Sequence, residues 1–178
     1  MVNKKGFTLI ELLAVIVILG IILIIAIPSI SAAILKSRKN AYVDTANQLV
    51  DAVRIAALSN PTILPTNNIN NHHLTFVKLS AIKLEKGSKE KSPFGNTYSS
   101  NSVIRIDFSD EYNYEICLVD EKGNGIDSLT EIKSIDTSHV KVGGEDCSNI
   151  EQLIIGTPSL CSNNRCLIIS EPSELYGE

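Results

Sequence analysis

The sequence has no tryptophan and no excess of basic residues, and it contains no internal repeat and no low-complexity tract. Its 20 acidic residues outnumber the 16 lysines and arginines, so the net charge is −4. This balance disfavours nucleic-acid binding by bulk charge, which needs a basic surface that releases counterions from phosphates. Nucleic-acid binding through a local basic site is the one alternative that this balance leaves.

Cysteine is missing from the first 116 residues, and no Cys-x-x-Cys pair occurs in the chain. The chain has four cysteines: Cys117, Cys147, Cys161 and Cys166. In an exported domain this even number predicts two disulfides, and three pairings are open. We expect Cys161 to pair with Cys166, because polar turn-forming residues separate them, and Cys117 with Cys147 by elimination. A metal site that combines these thiols with His72 or His73 is the alternative, and it lacks the paired spacing usual for zinc.

The patterns of catalytic sites are weak. Ser80 to Lys83 and Ser88 to Lys91 match the Ser-x-x-Lys of penicillin-interacting enzymes, but neither Ser-Asp-Asn nor Lys-Thr-Gly follows. The turn from Gly143 to Asp146 offers two carboxylates that suit calcium, and a solvated turn is the simpler interpretation. We therefore predict that the protein is not an enzyme and binds no cofactor and no metal. The chain length predicts one domain plus an anchor.

A long apolar run, in contrast, is present at the N-terminus. From Phe7 to Ile27 only Thr8 and Glu11 are strongly polar. A helix of this length covers about 31 Å, close to the hydrocarbon thickness of a bilayer, and predicts one transmembrane helix. Lysines 4 and 5 favour a cytoplasmic N-terminus, although Lys36, Arg38 and Lys39 weaken the asymmetry. Glu11 is costly inside such a span unless it is paired or near the interface.

The segment from Lys4 to Glu11, KKGFTLIE, resembles the class III signal of type IV prepilins, with Leu12, Leu13, Gly20 and Pro28 also in typical places. The resemblance implies cleavage between Gly6 and Phe7 by a prepilin peptidase and N-methylation of Phe7. It also implies that Glu11 pairs with the Phe7 amine of an adjacent subunit. The helix between Gly20 and Pro28 would melt in an assembled filament.

Beyond Pro28 the chain stays compatible with a helix until Pro61 stops it. Its apolar face is predicted to pack on a sheet: Leu35, Tyr42, Ala46, Leu49, Val53 and Ala56. Alternating residues predict two antiparallel strands, from Ile104 to Phe108 and from Tyr112 to Leu118, with turns at 109–111 and 120–125. The apolar residues between Leu74 and Ile82 predict a short helix before an exposed loop. The topology of residues 126–178 stays open.

We thus expect an α+β protein with the type IV pilin fold, in which a long N-terminal helix packs on an antiparallel sheet with a cysteine-bearing C-terminal region. The expected parts are a leader at 1–6, a transmembrane and filament-core helix at 7–27, its amphipathic half at 28–59 and a globular head at 60–178. The composition, rich in isoleucine, lysine and asparagine, is typical of an AT-rich genome and fits a Gram-positive host.

The resemblance implies a structural subunit of a type IV pilus, used for adhesion, surface motility or DNA uptake. Before assembly it would be a single-pass membrane protein with its C-terminal domain outside, and afterwards part of an extracellular helical homopolymer. Its partners would be other pilins, the prepilin peptidase, an assembly platform protein and a cytoplasmic ATPase. Two alternatives are a pseudopilin of type II secretion or competence, and a minor pilin that acts as a surface or ligand binding module.

Overall fold

The computed structural model describes residues 6–66, 73–83, 91–147 and 166–177. Its first element is helix α1, Leu9–Ser59, of 51 residues. The helix ends where the sequence predicts, since Asn60 still donates its backbone N–H to the Ala56 carbonyl at 2.8 Å and Pro61 follows. Pro28 lies inside the helix.

The chain divides into two compact units, Met1–Ser37 and Arg38–Glu178. The described part of the first unit consists of residues 6–8 and the start of α1. The large apolar side chains of α1 are exposed here, as Leu9 at 84% and Ile24 at 74% illustrate. The second unit holds the rest of α1 and the sheet, and we call it the head.

The head contains a sheet of six strands in the described residues, in the order β5-β4-β3-β2-β1-β6. The strands are β1 Leu74–Lys78, β2 Val103–Phe108, β3 Tyr112–Val119, β4 Gly125–Glu131, β5 Val140–Lys141 and β6 Cys166–Ile169. A short helix, α2, Pro172–Tyr176, follows β6. The predicted strands β2 and β3 and the turns on either side of β3 are confirmed, because β2, β3 and β4 pair consecutively and antiparallel.

The antiparallel sheet is confirmed with one exception, since β6 runs parallel to β1. Residues 126–178, whose topology the sequence left open, thus contribute β4, β5, β6 and α2. A parallel neighbour needs a long connection between the two strands, and here β1 and β6 lie far apart along the chain. Such a pairing leaves no local signal in the sequence.

The prediction of a short helix between Leu74 and Ile82 is wrong. This segment forms β1 and then a single 3₁₀ turn at Leu79–Ala81. The spacing of Leu74, Val77, Leu79 and Ile82 does not distinguish a short helix from a strand. Pairing of β1 with both β2 and β6 decides for the strand.

The apolar face of α1 packs on one face of the sheet. Its buried residues are Tyr42, Ala46, Leu49, Val50, Val53, Ala56 and Ala57, which join Ile104, Ile106, Ile116 and Leu118 of β2 and β3 in one core. The predicted face is therefore confirmed from Tyr42 onward. Leu35 is an error in that prediction, because it is 41% exposed and lies in the first unit, before the helix residues that the sheet covers.

A second, smaller apolar cluster lies around Cys117 and Cys147, with Phe76, Val103 and Val119. Cys117 and Cys147 are joined by a disulfide with a Cα–Cα distance of 6.0 Å. Alternation along β3 puts Cys117 on the opposite face from Ile116, so this cluster lies on the face of the sheet away from α1. The disulfide ties β3 to the segment that follows β5.

Candidate processing and assembly site

The three described residues before α1 are exposed and not helical. Gly6, Phe7 and Thr8 precede the first helical residue, Leu9, and Phe7 is 87% exposed. A Cβ added to Gly6 would meet no atom within 4 Å among the described residues.

Thr8 and Glu11 form a capping box at the start of α1. The Thr8 backbone N–H and hydroxyl donate to Glu11 Oε2 at 2.7 and 2.8 Å, and the Glu11 N–H donates to the Thr8 hydroxyl at 3.4 Å. A carboxylate in the first helical turn also interacts favourably with the helix dipole. The Glu11 charge is therefore held beside Phe7, at the N-terminal end of the apolar segment.

Thr8 is a helix-capping residue beside Glu11 that sequence reasoning missed. The signal for it was present, because Thr-x-x-Glu directly before an apolar run is the pattern of a capping box. Its hydroxyl is one of the two groups of Thr8 that donate a hydrogen bond to the Glu11 carboxylate.

Gly20 and Pro28 both lie within the continuous helix α1. Pro28 has no N–H, so the Ile24 carbonyl lacks its usual helical donor. One turn further on, the Ser31 hydroxyl donates to the Ile27 carbonyl at 3.0 Å. Gly20 leaves open space around its Cα, since an added Cβ would contact nothing within 4 Å. The helix is thus intact here but has a weak hydrogen-bond ladder near Pro28.

The exposed apolar surface of α1 is the largest feature of the first unit. Among the described residues, α1 is the one helix long and apolar enough to cross a membrane, with a mean hydropathy of 3.3 over an 18-residue window that is 0% buried. Such a surface needs lipid or other apolar helices around it. The helix fits a membrane-anchored precursor.

Comparison with known proteins bears on this segment alone. Residues 1–27 match the family model of the prokaryotic N-terminal methylation motif, which is the class III signal of type IV prepilins. The predicted prepilin signal is therefore confirmed, and the motif supports a type IV pilin-like or pseudopilin protein. The search found neither a curated protein nor a solved structure that matches the chain.

The structure describes one of the two predicted cysteine pairs. The expected Cys117 and Cys147 pair is the disulfide described above, which leaves neither sulfur as a thiolate ligand for zinc. Cys166 is also disulfide-bonded. Its expected partner, Cys161, lies outside the described residues, as does His72, so the second pairing stays a prediction.

In the candidate calcium turn, Gly143 to Asp146, the Asp146 carboxylate accepts hydrogen bonds from the head. Asp146 accepts hydrogen bonds from the Ser99 hydroxyl at 2.9 Å, the Asn101 side-chain amide at 2.8 Å and the Cys147 N–H at 2.8 Å. These donors occupy both oxygens of the carboxylate. Asp146 therefore anchors the segment after β5 to the turn before β2, next to the disulfide.

Another carboxylate of the head, that of Asp120, is buried in the turn between β3 and β4, and Asp120 has 1% of its surface exposed. It accepts hydrogen bonds from the Ser92 hydroxyl, the Asn96 amide, the Lys122 N–H and both nitrogens of Asn124, at 2.8 to 3.1 Å. Burial alone would raise the pKa of Asp120, but the hydrogen bonds from Asn96, Asn124 and Ser92 outweigh burial and lower it. We call this arrangement the Asp120 clasp.

Proposed function

We propose that this protein is a structural subunit of a type IV pilus or a related filament, made as a precursor and polymerised through α1. The observation that carries the proposal is the prepilin signal at residues 1–27, which coincides with an exposed apolar helix. A head closed by a disulfide accompanies it. Disulfides persist outside the cytoplasm, which supports export of the head.

In this proposal a prepilin peptidase cleaves between Gly6 and Phe7 and thereby removes Lys4 and Lys5. The apolar helix stays attached, so the subunit remains in the membrane with its head outside. Cleavage creates a new ammonium at Phe7, which becomes N-methylated. Gly6 and Phe7, on either side of the proposed cut, are exposed, which suits a protease substrate.

Glu11 then directs assembly. An unpaired carboxylate in an apolar environment is costly, and the capping box with Thr8 satisfies it only in part. The ammonium of Phe7 on an adjacent subunit offers an opposite charge in the same environment. Pairing removes two unfavourable charges together, whereas loss of either partner leaves the other one buried and unpaired.

Assembly replaces lipid by protein around α1. Apolar residues from Phe7 to Ile27 would pack against identical helices at the centre of a helical polymer, with the heads outward. An assembly platform protein and a cytoplasmic ATPase would supply the extraction step. Adhesion, surface motility and DNA uptake are the purposes that such a filament serves.

A pseudopilin of type II secretion or competence is the second candidate, because the same N-terminal motif supports it. A minor pilin whose head binds a surface or ligand is the third. Copy number separates them: a major pilin dominates sheared surface filaments, while a minor pilin is a trace component and a secretion pseudopilin stays with the cell.

Four variants of the full-length chain test the mechanism. Gly6→Leu should block cleavage, and Gly6→Ala is its matched control with a small side chain. Glu11→Gln should be cleaved but should not assemble, because its side chain cannot neutralise the Phe7 ammonium. Thr8→Val should be cleaved and should still assemble, because it keeps the Glu11 charge.

Immunoblots of whole cells and sheared surface fractions report both steps. Normal assembly of Glu11→Gln would refute the charge pairing, and normal cleavage of Gly6→Leu would refute the processing site.

A further inference from the structure

The turn between β3 and β4 contains the only Asn-Gly dipeptide in the sequence, Asn124-Gly125. Asn-Gly is chemically labile in an open chain. Glycine has no side chain to hinder approach of its backbone nitrogen to the preceding side-chain amide, and its backbone adopts many conformations. The reaction of such a dipeptide is slower where the fold restrains the amide and the backbone around it.

The fold requires a glycine at position 125. Gly125 has a φ of +139°, and a Cβ there would lie 2.2 Å from the Leu118 carbonyl oxygen and 2.6 Å from the Tyr42 hydroxyl. A side chain would therefore overlap both the neighbouring strand and helix α1.

The fold also requires the amide of Asn124. The nitrogen Nδ2 donates to both oxygens of Asp120, at 3.1 and 3.0 Å, and Oδ1 accepts the Gly143 N–H at 3.1 Å. Asn124 is 7% exposed. Two separate packing requirements thus place a labile pair at adjacent positions.

The same contacts immobilise the reactive group. Three hydrogen bonds hold the Asn124 amide to Asp120 and Gly143, so any rotation that carries Cγ away from these partners has to break them. The backbone is held as well, because the Asn124 carbonyl accepts the Tyr42 hydroxyl at 2.8 Å and the Asp120 N–H at 2.9 Å. We propose that Asn124 is a self-modification site that the folded head protects and that deamidates when this turn opens.

The reaction needs only water. The Gly125 backbone nitrogen attacks Cγ of Asn124, a C–N bond forms, and Nδ2 leaves as ammonia with the proton of the attacking amide. The five-membered succinimide then adds water at either carbonyl carbon. The product is aspartate, or isoaspartate with one additional backbone atom.

Either product prevents the turn from closing as before. Aspartate at 124 places a carboxylate against Asp120 and removes two donors from the Asp120 clasp. Isoaspartate also displaces the carbonyl that accepts the Tyr42 hydroxyl. Deamidation would therefore mark, irreversibly, those heads that have spent time open, for example before the Cys117–Cys147 disulfide has formed.

The test compares deamidation of the full-length chain in detergent, folded and after reduction and unfolding in urea, in the same mildly alkaline buffer. Peptide mapping by mass spectrometry measures aspartate and isoaspartate at Asn124, with Asn96 and Asn101 as internal references. We expect reaction at Asn124 to be about a hundredfold slower in the folded chain, since a closed segment opens only rarely. In urea, Asn124 should react before Asn96 and Asn101.

A conservative variant tests whether the turn itself controls the rate. Tyr42→Phe removes one hydrogen bond to the Asn124 carbonyl and should accelerate native deamidation roughly fivefold. Tyr112→Phe is the matched control, because Tyr112 is 37% exposed on β3, and its rate should equal that of the wild type. Equal rates in the folded and unfolded chains, or faster reaction of Asn96 or Asn101 in urea, would overturn the proposal. An unchanged rate in Tyr42→Phe would overturn control by this turn.

Discussion

The hydroxyl of Tyr42 donates a hydrogen bond of 2.8 Å to the backbone carbonyl of Asn124, which joins helix α1 to the turn between β3 and β4 across 82 residues of sequence. Burial raises the pKa of Tyr42, so the hydroxyl stays a donor throughout the physiological range. This contact fixes how the helix and the sheet meet within the head.

Removing that hydroxyl should destabilise the head without disturbing its packing. We expect Tyr42→Phe to lower the free energy of unfolding by about 1 kcal/mol, the net value of one buried hydrogen bond. Urea unfolding of the detergent-solubilised chain, followed by near-UV circular dichroism, measures it. Tyr112→Phe, at an exposed position, should change stability by less than about 0.5 kcal/mol. Equal effects in the two variants would contradict the role of the hydrogen bond.

Gly125 should be hard to replace by any other residue. In Gly125→Ala the methyl group would lie within 2.6 Å of both the Leu118 carbonyl and the Tyr42 hydroxyl, and the backbone has a positive φ. We expect a loss of at least about 3 kcal/mol, from strain and displaced packing. Gly95→Ala is the control, because Gly95 also has a positive φ of +89° but open space around it, and its cost should be about 1 kcal/mol. Similar unfolding midpoints for the two variants would show that the close approach at Gly125 is unimportant.

The disulfide between Cys117 and Cys147 should contribute a large part of the stability of the head. It closes a loop with a sequence separation of 30. On the chain-entropy model its loss in Cys117→Ala/Cys147→Ala should cost about 3–4 kcal/mol, measured by urea unfolding. Ser100→Ala, an exposed substitution in the turn before β2, is the control and should leave the midpoint unchanged. A midpoint shift no larger in the double variant than in this control would contradict the prediction.

The Asp120 clasp predicts how stability depends on pH. The folded pKa of Asp120 is lowered from 3.8, so the unfolded chain binds the proton more tightly than the folded one. Its contribution is therefore complete above the unfolded pKa and is lost as the pH falls below about 4 towards the folded pKa. Urea midpoints between pH 7 and pH 2 should show this loss in the wild type. Asp120→Asn should be less stable at neutral pH and should lose less on acidification. If the urea midpoints of the two proteins fall in parallel as the pH is lowered, Asp120 does not cause the loss of stability in acid.

How much of this was visible in the sequence depends on how local each feature is. The prepilin signal lies within residues 1–27 and helix α1 ends just before Pro61, so both could be predicted from the sequence. The roles of Gly6, Phe7 and Glu11 in processing and assembly stay predictions. The hairpins around β3 follow from alternation and from turn residues that directly join the strands.

Features built from distant segments were not predictable. Strand β1 was interpreted as a helix because its neighbours, β2 and β6, decide its conformation and lie far away in sequence. Nothing around Asp120 indicates that Ser92 and Asn96 would donate to it, since turns rich in asparagine and serine are common. Leu35 was included in the core because periodicity shows that a face exists but not where the covering sheet begins.

The central claim, that this chain is cleaved after Gly6 and polymerised through α1, is tested most directly on the wild-type protein of a sheared surface fraction. N-terminal sequencing and intact mass should show a chain that begins with N-methylated Phe7 and retains an intact head. A protein that keeps Lys4 and Lys5 and is found only in the membrane fraction would contradict the account. It would leave an anchored domain that forms no filament.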